Sequence, residues 1–366
     1  MRLKIWKKML VFGFGCAAVA CSSSDGNDLF GADGSASATT TAATSAGDDT
    51  TSTSTSSSTG DDDGDGGDAS GDTTTGGILL DVGGGGAGDG GDDGLPADGC
   101  KDVDLLFVVD NSGSMADQQQ SLVDSFGGFV QGIEQELEGV SYHVGVVSSD
   151  AYGANEGGCR AIGDLITQTS GANSSNAVCG PFASGGRYLD ENEADLASKF
   201  GCIGQVGTFG SDDERMARAM LDALQPGRND PTAGGCNAGF SRPDSLLVIV
   251  MITDEDDVPE PFGCDPDDFF NNPCDAVGSG GTPDEWKAEL SGYRPNIDTN
   301  VVVLSLVGRS GGSCGAQINS KILGFANRFG DNGFIGDVCA PSYDQFFLEA
   351  LPVIDDACTN YVPPAG

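Results

Sequence analysis

The chain has 366 residues and carries 17 Lys and Arg against 56 Asp and Glu, a formal net charge of −39. That balance excludes a nucleic-acid partner, because phosphate binding needs a basic face. A single histidine, His143, excludes a multi-histidine zinc site and confines any Ser-His-Asp or Cys-His catalyst to that residue.

Arg2, Lys4, Lys7 and Lys8 precede an apolar run from Met9 to Ala20. A bilayer-spanning helix takes about 20 residues, so the run reads as a signal peptide. It ends Ala18-Val19-Ala20-Cys21, which resembles a bacterial lipobox. Residues 1–20 are therefore expected to be a lipoprotein-type signal peptide, with Cys21 the lipidation site. A cleaved signal peptide without lipid is the alternative. Ser22, rather than Asp, follows the cysteine, which in the lipoproteins it resembles goes with the outer membrane.

Residues 21–99 read as a disordered linker. In 22–99, 20 Gly, 16 Asp, 12 Ser and 12 Thr make up 60 of 78 residues, with no Lys, Arg or Glu. Such a stretch has too little apolar surface to offset its ordering entropy. As a random coil it reaches roughly 50 Å, and further with charge repulsion, which suits a tether.

The folded region is expected over residues 100–360. Val103 to Val109 reads as a strand buried on both faces. Leu122, Phe126, Phe129, Val130, Ile133 and Leu137 follow at helical spacing. Tyr142 to Val147 is the second strand, with His143 a strand residue whose ring is hydrogen-bonded. A Gly/Ser/Asn-rich stretch runs from 151 to 186. Met216, Met220, Leu221 and Leu224 mark a helix. Leu246 to Ile252, Val301 to Val307 and Phe334 to Val338 are further strands. Helices are expected at about 316–328, carrying Ile318, Ile322 and Phe325, and at about 343–355. Trp286 is expected to pack a helix on the core. This alternation predicts an α/β fold, a doubly wound and mostly parallel sheet with helices on both faces.

Setting aside Cys16 of the signal peptide and Cys21, ten cysteines remain: Cys100, Cys159, Cys179, Cys202, Cys236, Cys264, Cys274, Cys314, Cys339 and Cys358. An even number in an exported chain implies disulfides. Cys100 and Cys358 bracket the folded region and are the expected closing pair. Cys264 and Cys274 suit a local loop within 255–282, a candidate specificity element.

Ligands of an open parallel sheet bind beyond the carboxyl ends of its strands. The first strand ends Asp110-Asn111-Ser112-Gly113-Ser114, and the strand at Leu246 ends Thr253-Asp254-Glu255-Asp256-Asp257. Gly207-Thr208-Phe209-Gly210-Ser211 precedes the Met216 helix. These segments offer an all-oxygen set, suited to Mg²⁺ first, or to Mn²⁺ or Ca²⁺. Asp150 ends the second strand at the same edge, as a residue behind the metal or a plain turn residue.

The pattern resembles the von Willebrand factor type A (VWA) domain with its metal-ion-dependent adhesion site (MIDAS). Asp110, Ser112 and Ser114 match that family's Asp-x-Ser-x-Ser motif, Thr208 its distant threonine and Asp254 its later aspartate. Ser211 is the fallback for Thr208. The resemblance implies that the serines and Thr208 touch the metal, that Asp110 and Asp254 act through water, and that a partner's carboxylate completes the shell. Glu255, where the family commonly has Gly, opens an acidic run read as a solvated loop, with a second cation site as the alternative.

The functional expectation is an envelope-anchored adhesion module that captures a protein carboxylate through a divalent metal. The membrane is met through the lipid anchor only. A structural envelope scaffold with a purely stabilising metal, or none, is the second reading. A metal-dependent phosphohydrolase is disfavoured: where dehalogenase-type phosphatases carry a second aspartate, this chain has Ser112. The chain is therefore read as non-enzymatic.

Overall fold

The computed structural model describes residues 99–136, 139–211, 213–257, 278–309 and 314–364. The signal peptide, Cys21, the acidic linker and the Cys264–Cys274 loop lie outside the described residues.

The chain runs β1 (Asp102–Val109), α1 (Ala116–Glu136), β2 (Ser141–Ser148), β3 (Leu189–Asp190), α2 (Leu196–Gly204), α3 (Met216–Leu224) and α4 (Pro226–Asn229). It continues with β4 (Leu246–Thr253), α5 (Pro283–Ser291), α6 (Ile297–Asn300), β5 (Val301–Val307), α7 (Ser320–Ala326), a 3₁₀ turn at Asn327–Asn332, β6 (Gly333–Asp337) and α8 (Asp344–Thr359). Six strands form one sheet in the order β3-β2-β1-β4-β5-β6. β1, β2, β4, β5 and β6 are parallel, and β3 pairs antiparallel at the edge. The expected doubly wound architecture is present.

The apolar runs dictate the layers. β1, β4 and β5 are buried along almost their whole length, as strands covered on both faces must be. Alternate side chains then face opposite layers. Val103, Leu105, Phe107 and Val109 pack with Leu122 and Phe126 of α1, Phe200 of α2 and Phe347 of α8. Leu106 and Val108 pack with Met216 and Met220 of α3, Trp286 of α5 and Phe325 of α7.

Some expectations shift. β3 and α2 are additional elements, and the helix expected at Trp286 is α5. The last begins with Thr282-Pro283-Asp284-Glu285, a capping box in which the Thr282 hydroxyl accepts from the Glu285 amide (3.3 Å). Trp286 does pack this helix on the core, with its ring 6.0 Å from that of Phe325. The helix expected from 316 starts at Ser320, so Ile318 precedes it and is exposed. Asp256 reaches back to cap that start, as described below. His143 Nδ1 donates to the Phe240 carbonyl oxygen (2.8 Å), as a hydrogen-bonded strand residue.

Four disulfides staple the described residues: Cys100–Cys358, Cys159–Cys236, Cys179–Cys202 and Cys314–Cys339. The first joins the approach to β1 to the last turn of α8, across a sequence separation of 258. Replacing both Cys100 and Cys358 by serine should lower stability by about 2–5 kcal/mol, since a long loop is released in the unfolded chain. Urea unfolding measures this. An unchanged midpoint contradicts a stabilising role for the clasp.

Candidate metal centre

The site is placed by two neighbouring strand ends. Val109 lies opposite Ile252, and the Asp110 amide donates to the Ile252 carbonyl oxygen (3.0 Å). From β1 the sheet extends one way through β2 and the other way through β4. Such a reversal of direction opens a crevice at the carboxyl ends of the strands. The Asp110–Ser114 turn leads from β1 into α1, and Asp254 follows β4.

Asp110 is completely buried. Its Oδ1 accepts from the Ser112 amide (2.7 Å), and its Oδ2 accepts from Thr253 Oγ1 (2.6 Å). Ser112 Oγ lies 3.4 Å from Ser114 Oγ, which donates to Asp254 Oδ1 (3.0 Å). Four of the five expected ligands thus form one connected chain of oxygens. Burial pushes the Asp110 carboxyl up to about 6, opposed by its hydrogen bonds to Thr253 and Ser112. Burial also raises Asp254. Carboxyls that resist ionisation in a desolvated corner are what a cation relieves.

Thr208 reaches this edge on a loop held by Gln119. The buried Gln119 Nε2 donates to the carbonyl oxygens of Asp110 (2.8 Å) and Gly207 (2.9 Å), and its Oε1 accepts from the Gly207 amide (2.9 Å). Gly207 has φ +89°, a conformation that favours glycine. Gly210 donates its amide to the Asn111 carbonyl oxygen (2.8 Å), and a Cβ there would collide with the Asn111 side chain. Thr208 is half-buried, and its hydroxyl accepts from Asn173 Nδ2 (2.8 Å). Ser211 is exposed, and its amide donates to Asp150 Oδ2 (3.0 Å). Asp150 Oδ1 also accepts from Asn111 Nδ2 (3.2 Å), so Asp150 braces the loop against the motif.

The acidic run after Asp254 is not a solvated loop. Asp256 and Asp257 are buried. Asp257 accepts from the Ala217 amide (2.9 Å) in the first turn of α3 and from the Ser279 amide (2.6 Å). Asp256 accepts from Ser320 Oγ (2.6 Å) and the Lys321 amide (3.1 Å) at the start of α7. Helix starts present amide groups without intrahelical partners, and these carboxylates satisfy them. The two acids serve the helices rather than a second cation.

Glu214, just before α3, was not among the expected ligands. It is 2% exposed, and neither carboxyl oxygen makes a hydrogen bond. Burial and then the charge of Asp110 push its carboxyl up to about 10, while the nearby Ser149 hydroxyl pulls the other way. Its sequence signal is masked: an acid in Asp212-Asp213-Glu214 ahead of an apolar helix reads as an ordinary helix-start residue.

Among the described residues, no three His, Cys, Asp or Glu side chains are gathered into one metal-holding group. The set here is mixed instead, two carboxylates and two serine hydroxyls, all oxygen. That chemistry fits Mg²⁺, Mn²⁺ or Ca²⁺. Glu214 lies beside this set, with the charge of Asp110 acting on it. The edge opens to solvent at Ser114, and Phe209, beside Thr208 in the chain, is 87% exposed.

No protein-family model matches the chain, and no curated protein matches its sequence. Among solved structures it is similar to proximal thread matrix protein 1 of the mussel byssus, at 13% identity and a TM-score of 0.37 over 72% of this chain and 49% of that one. It is also similar to the pilus adhesin SpaC from Lactobacillus rhamnosus GG, at 12% identity and a TM-score of 0.34 over 70% of this chain and 30% of that one. The chain thus spans about half, or less, of each neighbour's length. The functional reading below rests on the residues of the site itself.

Gln119→Met keeps volume and removes all three loop-to-motif bonds. It should destabilise the fold by about 2–4 kcal/mol, because buried backbone groups at Asp110 and Gly207 lose partners worth about 1–3 kcal/mol each. Urea unfolding of the variant checks this. Wild-type stability contradicts the role of Gln119 as the strut.

Proposed function

We propose that the chain is an exported binding module of the von Willebrand factor type A kind, holding a divalent cation at the sheet edge and offering it to a carboxylate of a protein partner. The observation that carries this reading is the linked set Asp110–Ser112–Ser114–Asp254, which reaches solvent at Ser114. A bound cation, Mg²⁺ first among the candidates, supplies the positive centre. Asp110 and Asp254 retain it by charge. Ser112 and Ser114 supply neutral oxygens that offset little of that charge, which leaves attraction for an acid on the partner. The proposal assigns the site no catalytic step.

The rest of the chain serves presentation. Residues 1–20 would export the protein, Cys21 would carry the lipid, and residues 21–99 would tether the domain away from the membrane. Four disulfides among the described residues fit an oxidising compartment. A second reading, a scaffold whose cation stabilises the fold, is favoured by one observation: the buried carboxyl of Glu214 beside Asp110 supplies internal charge for the ion.

Calorimetric titration of Mg²⁺, Mn²⁺ and Ca²⁺ into the oxidised chain tests the site. One saturable event is expected, weakened at least about tenfold in Asp110→Asn and in Ser112→Ala, with unchanged circular dichroism. At a cation concentration 100-fold above Kd, the wild type should gain about 2.7 kcal/mol of stability. No binding by the wild type, or equal binding by all three proteins, contradicts the reading.

A further inference from the structure

We propose that Glu214 is a direct ligand of the cation, in the place that the sequence resemblance gives to Thr208. The inference rests on the reading of this edge as a cation site.

Two observations carry it independently. The first is the state of Glu214. Its side chain is 2% exposed, and both carboxyl oxygens are without hydrogen-bond partners. A carboxyl in that position must hold a proton or meet a charge of opposite sign. Among the described residues no lysine or arginine makes an ion pair with it. Its charged neighbour is Asp110, itself fully buried and already part of the oxygen chain. Two buried acids side by side repel unless a proton or a cation stands between them. Burial and opposition of like charge are the reverse of what a structural acid acquires here: Asp256 and Asp257, only a few residues past β4, each accept amide hydrogen bonds.

The second observation is the state of Thr208. Its hydroxyl accepts from Asn173, and its amide donates to the Ala172 carbonyl oxygen (2.9 Å). The loop on either side is fixed, at Gly207 by Gln119 and at Gly210 by Asn111. Thr208 is thus tied to the 171–176 turn, whereas the groups acting on Glu214 are the Asp110 carboxyl, the Ser149 hydroxyl and the charge of Glu255.

The chemical consequence is a change in charge. Threonine offers a neutral oxygen, and glutamate offers a full negative charge. Cation affinity in oxygen sites rises with the number of charged ligands. With Glu214 added to Asp110 and Asp254, the chain's own acids match the charge of the ion, so this inference deepens the scaffold reading, in which the cation stabilises the fold.

The test compares wild type, Glu214→Gln and Thr208→Val by calorimetric titration with Mg²⁺, Mn²⁺ and Ca²⁺, and by thermal unfolding with and without the ion. Glu214→Gln should weaken binding at least about tenfold and shrink the cation-induced rise in Tm, while its cation-free Tm is not lowered. Thr208→Val should bind within about twofold of wild type. Wild-type binding in Glu214→Gln overturns the inference and leaves the cation site standing. A loss in Thr208→Val with Glu214→Gln unchanged returns the position to Thr208. No binding by the wild type removes the site itself. Should Glu214→Gln fail to fold, Glu214→Asp keeps the charge and withdraws the oxygens, and must also weaken binding; an unchanged affinity there overturns the inference.

Discussion

The structure turns on one buried carboxyl group at the seam between β1 and β4. Asp110 has no exposure to solvent, and it is held between the amide of Ser112 and the hydroxyl of Thr253. The first bond shapes the turn that aims Ser112 and Ser114. The second fastens that turn to the neighbouring strand end, where Asp254 begins. Gln119 then ties the backbone of the same aspartate to the loop of Gly207 and Thr208. A single desolvated acid so fixes three separate segments of sequence at one point.

The two ends of β1 treat buried acids in opposite ways. At its amino end, Asp104 is fully buried and lies 2.8 Å from Arg242 Nε and 3.2 Å from Arg294 Nη2. Two guanidinium groups settle that charge within the chain. At its carboxyl end, Asp110 has Glu214 and Asp254 for charged neighbours. At the opposite edge no lysine or arginine among the described residues makes an ion pair with Asp110, Glu214 or Asp254. Such buried carboxyls must hold a proton or meet a cation, and this asymmetry along one strand is the physical argument for an external cation.

Much of this was legible in the sequence. The apolar runs at Val103, Leu246 and Val301 are long and β-branched, so their burial on both faces and their parallel pairing follow from pattern alone. That Asp110, Ser112, Ser114 and Asp254 meet at one corner was legible because a motif directly after a strand has a fixed place in an open sheet. The pairing of Cys100 with Cys358 was legible because these residues bracket the folded region. Other features left weak signals. β3 has two residues, too few for a period, and α2 is interrupted in pattern by Gly201 and Gly204. The acids at 255–257 looked solvated because composition cannot show that Asp256 and Asp257 reach helix starts far along the chain. Gln119 and Glu214 belong to helix or helix-start patterns, and only tertiary packing reveals them as buried polar groups.

The central claim is that the carboxyl edge of this sheet holds a divalent cation among these residues. Crystals of the oxidised protein grown with Mn²⁺ test it most directly, through the anomalous scattering of the ion. The account predicts one strong anomalous peak enclosed by the side chains of Asp110, Ser112, Ser114 and Asp254. Clear density for these residues with no peak between them, at saturating Mn²⁺, contradicts it.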